Sequence, residues 1–222
     1  LGDVEHGAEG GCAYFWAKNM ESSARAQLPS LKGLVLAGGR STRMGQDKGL
    51  LQWHGQPQRL YLLSLLQQVG VPAYISCRPD QVEELPGLPL VVDRLSDAGP
   101  LGALYSAFCE DPQAAWLVVA CDMPLIDEAA VRHLMARRYP ERGGTAYRAP
   151  AFDDGSPDPL FAIWEPAAFE VICRRLQAGQ RCARKALMAA NAYVVECPRP
   201  HILANANTPQ EAAELTRRFG QG

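Results

Sequence analysis

From Leu31 onward the chain alternates short apolar runs with amphipathic helical patterns, and that alternation leaves few folds open. Strands are predicted at 34–36, 73–76, 90–92, 116–120 and 193–196, with two more, at 145–150 and 160–164, in a less regular insert. Pro57 suits the first turn of a helix that runs to about residue 69, with Leu62, Leu63, Leu66 and Val69 facing inward. After Gly99-Pro100, the residues Leu101, Leu104, Tyr105 and Phe108 keep the i, i+3, i+4, i+7 spacing of a second helix. Val131, Leu134 and Met135 mark a third, and Phe169, Ile172, Cys173 and Leu176 a fourth. Thr208-Pro209-Gln210-Glu211 opens a last one: Thr caps, Pro takes the first helical position and Glu closes the capping box. The pattern predicts an α/β fold, a doubly wound, mostly parallel sheet with helices on both faces. Ligands in such sheets bind beyond the carboxyl ends of the strands. Gly38-Gly39, Asp93 and Asp122 each follow a predicted strand, so all three are expected on one rim.

The 222 residues suit one sizeable domain with an appendage. The domain is placed at 31–222. Residues 1–30 are Gly-, Ala- and Ser-rich, begin with Leu1 rather than Met, and carry one apolar knot, Tyr14, Phe15 and Trp16. They read as a tail docked on its own domain or as the end of an upstream one, and Leu28-Pro29 marks the boundary. The net charge of −2 gives no broad basic surface, so a nucleic-acid partner is not expected. No apolar run approaches the ~20 residues that cross a bilayer. Seven cysteines without any C-x-x-C, among four histidines, make no zinc pattern. Reduced thiols in a cytoplasmic protein are the plain expectation.

Four stretches carry chemistry. In LVLAGGRSTRMGQDKG, starting at Leu34, an apolar strand runs into two glycines and a cation-rich loop. Glycines let backbone N–H groups approach phosphate oxygens, Arg43 offers a planar fork and Lys48 a compact charge. Neither G-x-x-x-x-G-K-[ST] nor G-x-G-x-x-G is present; a solvated glycine turn is the plain alternative. In Ala120-Cys121-Asp122-Met123-Pro124 a carboxylate leaves an apolar strand, the usual place to hold Mg²⁺, although an Asp there can also cap the next turn. Cys121 reads as a small buried hydrophobe. In Asn205-Ala206-Asn207-Thr208-Pro209, Asn207 could supply an amide oxygen to a metal or ligand, or simply punctuate the helix entry. Asp93 with Gly99, Pro100, Leu101 and Gly102 forms a helix entry with room for a flat ligand against backbone; a plain loop and helix start is the other reading.

Together these stretches resemble the molybdenum cofactor guanylyltransferases, within the wider nucleotidyltransferase superfamily. The likeness runs through LAGGRSTRMGQDK, G-Q-P, A-G-P-L-G-A-L, V-A-C-D-M-P-L-I and N-A-N-T-P-Q-E in that order, over roughly residues 31–219. It implies a Rossmann-like nucleotidyltransferase fold and transfer of GMP from GTP to a molybdopterin-type acceptor, with release of pyrophosphate. By that resemblance Leu36, Ala37, Gly38, Gly39 and Lys48 bind the nucleotide, with Arg43 near its phosphates. Asp93 and Gly99, Pro100, Leu101 and Gly102 contact the guanosine part. Asp122 holds Mg²⁺ with Asn207 as helper, and Lys48, Arg43 and Asp122 carry catalysis. The segment Ile75-Ser76-Cys77-Arg78 departs from the Asn-containing segment of many relatives. The insert from Asp153 to Pro159 falls where the family recognises its pterin. A cofactor-synthesis partner, or a fused upstream module, is expected alongside. A cytidylyltransferase, a sugar-phosphate nucleotidyltransferase and a non-catalytic nucleotide-binding subunit remain the alternatives.

Overall fold

The computed structural model describes residues 28–37, 48–152, 154–206 and 208–219, with only the backbone of Lys48 among them. Seven strands form one sheet: β1 (Leu31–Leu36), β2 (Ala73–Cys77), β3 (Leu90–Val92), β4 (Ala115–Ala120), β5 (Gly144–Arg148), β6 (Pro157–Trp164) and β7 (Tyr193–Val195). They lie in the order β3-β2-β1-β4-β6-β5-β7. β1 pairs in parallel with β2 and β4, β2 with β3, and β5 with β7. β6 is antiparallel to both its neighbours, β4 and β5. The sheet is therefore mostly parallel, with one reversed strand at its middle.

The described helices are α1 (Gln58–Gln68), α2 (Gly99–Glu110), α3 (Glu128–Ala136), α4 (Ala168–Gln177), α5 (Ala183–Ala189) and α6 (Pro209–Phe219). Alternate residues of the central strands feed opposite cores, as the two-residue strand period requires. Val35, Leu117 and Val119 face one way and join Leu62 and Leu66 of α1 and Val131 and Leu134 of α3. Leu34, Trp116 and Val118 face the other way and join Leu101, Leu104 and Phe108 of α2, Phe169 and Ile172 of α4, and Leu187 of α5. Both faces are covered, and the expected inward residues of α1 through α4 are at least partly buried.

Three expectations need correction. Of the strand expected at 145–150, residues 145–148 belong to β5 and 149–150 lie beyond it; residues 160–164 belong to β6; both strands are full members of the sheet rather than parts of an irregular insert. Pro57 stands one residue before α1, its ψ of 133° being extended rather than helical. The seven-residue helix α5 is short enough that its periodicity gave no signal. The last helix begins as expected, with the Glu211 amide donating to Thr208 Oγ1 at 3.1 Å, a cap worth about 1 kcal/mol.

Pro29 and Ser30, just ahead of β1, are tied to the rest of the domain. The Ala115 amide donates to Ser30 O at 2.8 Å. Arg138 donates to Pro29 O at 2.9 Å while forking onto the fully buried Glu165 carboxylate at 2.7 and 2.9 Å. Breaking such a buried pair by removing one partner costs about 3–5 kcal/mol. Residues 1–27, including the aromatic knot, lie outside the described residues.

Candidate active site

The connection from β1 through β2 to β3 winds outward on one side, and the chain then crosses back to lay β4 on the other side of β1. The carboxyl ends of β1 and β4 thus flank the switch point, where a doubly wound sheet opens a crevice. The two strands end level, Leu36 opposite Ala120. The Cys121 amide donates to Leu36 O at 3.4 Å, so the exit of β1 and the stretch that carries Asp122 touch. Leu36 is half-buried and Ala37 buried. Gly38, Gly39 and Arg43 lie outside the described residues, as does the Lys48 side chain; the backbone of Lys48 opens a short 3-10 turn, Lys48–Leu50.

Asp122 is half-buried just past β4. Three side chains next to or on α1 grip the backbone that follows it. Gln58 Nε2 donates to Met123 O at 3.3 Å, His54 Nε2 to Pro124 O at 2.8 Å, and Tyr61 Oη to Ile126 O at 3.3 Å. His54 also stacks on Tyr61, with ring centroids 3.7 Å apart. Burial, then the nearby charge of Asp127, pushes the Tyr61 hydroxyl above its ordinary pKa. From the other side the Ala206 amide donates to Asp122 O at 2.7 Å. Asn207, the next residue, lies outside the described residues. The strap leading to Ala206 is anchored by Arg199, which forks onto Asp127 at 2.7 and 2.8 Å. Burial alone would raise the Asp127 carboxyl, but hydrogen bonds from Arg199 and the Ala130 amide hold it below the usual range.

Asp93 leaves β3 on the same rim. Its amide donates to Cys77 O at 2.8 Å and its Oδ1 accepts the Ser76 hydroxyl at 2.9 Å. Burial pushes the Asp93 carboxyl up, against the Ser76 hydrogen bond and the Arg78 charge. Gly99, with φ at +58°, has open space where a Cβ would stand. A Cβ on Gly102 would meet Ala98 Cβ at 2.6 Å, so close packing of the preceding loop accounts for that glycine. Pro100 is exposed and the Leu101 side chain is fully buried, which leaves Leu101 only its backbone to offer a ligand.

Sequence reading missed the grip of His54, Gln58 and Tyr61. The available signal was that Gln58 and Tyr61 stand one turn apart on α1. It also read Asp158 only as part of the insert where the resembled family recognises its pterin, although this residue sits on the same rim. Because β6 runs against its neighbours, the start of β6 reaches the ends of β4 and β5. Asp158 is 8% exposed, and its Oδ1 accepts the amides of Leu160 at 2.8 Å and Phe161 at 3.3 Å. Burial pushes its carboxyl up, and the charge of Asp122 adds to that. Among the described residues no group of three or more His, Cys, Asp or Glu side chains is arranged to hold a metal ion. The carboxylates of Asp122 and Asp158 are hard oxygen donors, and Mg²⁺ needs only one or two of these beside phosphate oxygens. The donor chemistry therefore fits such an ion. Beside this rim, Arg184 bridges Asp154 at 3.1 Å and Ser156 at 2.8 Å and lies 4.0 Å from the Phe152 ring centre.

Fold and rim define a doubly wound α/β domain with its topological switch point between β1 and β4. The MobA-like NTP transferase domain matches residues 33–194, and the chain belongs to that family. A molybdenum cofactor guanylyltransferase of Xanthomonas euvesicatoria is 33% identical over 202 residues, covering 82% of this chain and 93% of that one. A molybdenum cofactor biosynthesis bifunctional protein of Synechocystis sp. is 32% identical over 187 residues, covering 83% of this chain; the chain spans about half, 53%, of that relative's length. The crystal structure of molybdopterin-guanine dinucleotide biosynthesis protein A from Archaeoglobus fulgidus superposes with a TM-score of 0.68 at 20% identity, covering 86% of this chain and all of that one, a likeness of fold. No described helix is long and apolar enough to cross a membrane.

Proposed function

We propose that this protein transfers GMP from GTP to the phosphate of a molybdopterin-type cofactor and releases pyrophosphate, with Mg²⁺ as its metal. The observation that carries the reading is the meeting of the β1 exit with Asp122 at the switch point, in a chain of this family. The acceptor's phosphate oxygen attacks the α-phosphorus, and pyrophosphate leaves on the opposite side. Phosphate is already an adequate nucleophile near neutral pH, so no protein base is required. The difficulty is to bring two anions together and to hold them in line.

Each residue has a defined task in that reading. Leu36 and Ala37 present the end of β1, from which the backbone N–H groups of Gly38 and Gly39 would receive phosphate oxygens. Arg43 and Lys48 would place positive charge on the triphosphate, where it offsets repulsion and stabilises charge that builds as the bond breaks. Asp93, aimed by Ser76, would accept hydrogen bonds from the guanosine part, beside the backbone of Gly99, Pro100, Leu101 and Gly102. Asp122 would hold Mg²⁺, with Asn207 as helper. When bound, the ion supplies compact positive charge to the phosphate oxygens. The acceptor is expected to arrive from a cofactor-synthesis partner, in trans or as a fused module. Residues 31–222 are proposed as the transferase domain and 1–30 as its tail or a remnant of such a module.

The test is pyrophosphate release with molybdopterin as acceptor and GTP or CTP as donor. Release that prefers GTP is expected. Preference for CTP would keep the chemistry and change the product. Release with a sugar phosphate in place of the pterin would move the protein to another branch of the superfamily. Nucleotide binding without release under any of these conditions would leave a non-catalytic subunit.

A further inference from the structure

We propose that Asp158 is a second carboxylate of the divalent-cation site, beside Asp122 on the rim where β4 ends and β6 begins. The inference rests on the function proposed above and adds a residue to its metal site.

The reversed strand is what brings the residue there. β4 and β6 pair with Trp116 opposite Trp164, Leu117 opposite Ile163, Val118 opposite Ala162 and Val119 opposite Phe161. The ladder ends at that last pair and β4 at Ala120, so Asp122 in the following turn and Asp158 at the start of β6 lie at the same end of the paired strands, close enough for the charge of Asp122 to act on Asp158. The fold thus presents a carboxylate at the end of β4 and another at the start of β6, on the same rim.

Its environment is costly for a charge with only a structural task. Asp158 is more than nine-tenths buried. Its Oδ1 is used by the amides of Leu160 and Phe161. Among the described residues its Oδ2 has no hydrogen-bond partner and no Lys or Arg pairs with it. A buried carboxylate beside another carboxylate is unfavourable unless something positive joins them. A hard cation held by two carboxylates and by phosphate oxygens meets that need, and it uses the oxygen that the backbone leaves over.

A plain structural role makes a different demand. To start β6, the side chain need only accept two amides through Oδ1, which an asparagine does equally well. Asp158→Asn therefore keeps the structural task and removes the charge.

The test is electron paramagnetic resonance of Mn²⁺, used as a reporter for Mg²⁺, titrated into the protein with GTP. Wild type, Asp158→Asn and Asp122→Asn are compared, each with its melting temperature in the absence of metal. Expected is a loss of Mn²⁺ affinity in Asp158→Asn of roughly 10- to 100-fold, the range seen when a supporting group of a metal site is removed. Its metal-free melting temperature should hold or rise, because a repulsion has gone. Wild-type Mn²⁺ affinity in Asp158→Asn beside a clear loss in Asp122→Asn would overturn the role of Asp158 and leave the proposed function standing. A wild type that binds GTP without recruiting Mn²⁺ would overturn both. If Asp158→Asn melts well below wild type, Asp158→Glu decides: a longer carboxylate that restores Mn²⁺ affinity supports ligation, and one that does not overturns it.

Discussion

The two halves of the sheet deliver their polar residues to the rim by opposite routes. In β3-β2-β1-β4 every strand is parallel, so each crevice residue follows a strand: Ala37 after β1, Asp93 after β3, Asp122 after β4. In β6-β5-β7 the reversed β6 brings a strand start there, and with it Asp158. The parallel half builds the crevice that suits a nucleotide, with helix entries and strand exits converging. The mixed half walls the rim with side chains that hold one another, as Arg184 holds Asp154 and Ser156.

Substitutions along the rim should separate the tasks of its residues. Asp122→Ala should nearly abolish pyrophosphate release through loss of metal; normal turnover at ordinary Mg²⁺ would remove Asp122 from that role. Lys48→Ala should lower turnover on the order of 10²-fold, as expected when a charge aimed at the transition state is lost. An effect within a few-fold would put Lys48 outside direct contact. His54→Ala frees Pro124 O from its 2.8 Å hydrogen bond and loosens the backbone behind Asp122. Turnover should fall roughly tenfold, within the range that small misplacements cost, with GTP affinity unchanged. Weaker GTP binding at unchanged turnover would show that His54 does not act through Asp122.

Ser76→Ala, in the same parallel half, should act differently, because it leaves Asp93 without its 2.9 Å donor. The cost should be about 1 kcal/mol, read as a few-fold weaker GTP affinity with turnover preserved. The smallest effect concerns stability. The Asp127 carboxyl is held below its ordinary range in the folded protein. Its contribution is present above the unfolded carboxylate pKa, roughly 4, and is lost as pH falls through the lower folded value. Both Asp127 and Arg199 are about two-fifths exposed, so solvent screening limits the pair to about 1 kcal/mol or less. Arg199→Ala should therefore lower stability by up to that amount at neutral pH and by almost nothing in strong acid, so that the loss of stability on acidification, followed by circular dichroism, becomes smaller than in wild type.

The parallel half was also the more legible one. Buried parallel strands are continuous apolar runs, and AWLVVA of β4 reads as one without ambiguity. Helices α1 through α4 announced themselves by periodicity, and α6 by its cap. Strand direction carries no periodic signal, so nothing local marked β6 as reversed. Its first residues, Pro157-Asp158-Pro159, were left in the insert ahead of the strand expected at 160–164, and prolines there withhold ladder hydrogen bonds. Pro157 is instead accommodated opposite Arg148, next to an irregularity in the β5 pairing. Asp158 was hidden for the same reason, and the grip on Asp122 was hidden because it depends on contacts 65 to 70 residues apart in sequence. Asp93 and Asp122 were visible because each ends an apolar run. The strand-exit motif from Gly38 to Lys48 was the most specific sign in the sequence.

The most direct test of the nucleotide assignment is calorimetric titration of GTP, CTP and ATP, each with Mg²⁺, into wild type and Lys48→Ala. Selective GTP binding that weakens in Lys48→Ala is the expected result. Equal binding of the three nucleotides, or GTP binding indifferent to Lys48, would contradict a triphosphate cradle selective for guanine at the end of β1.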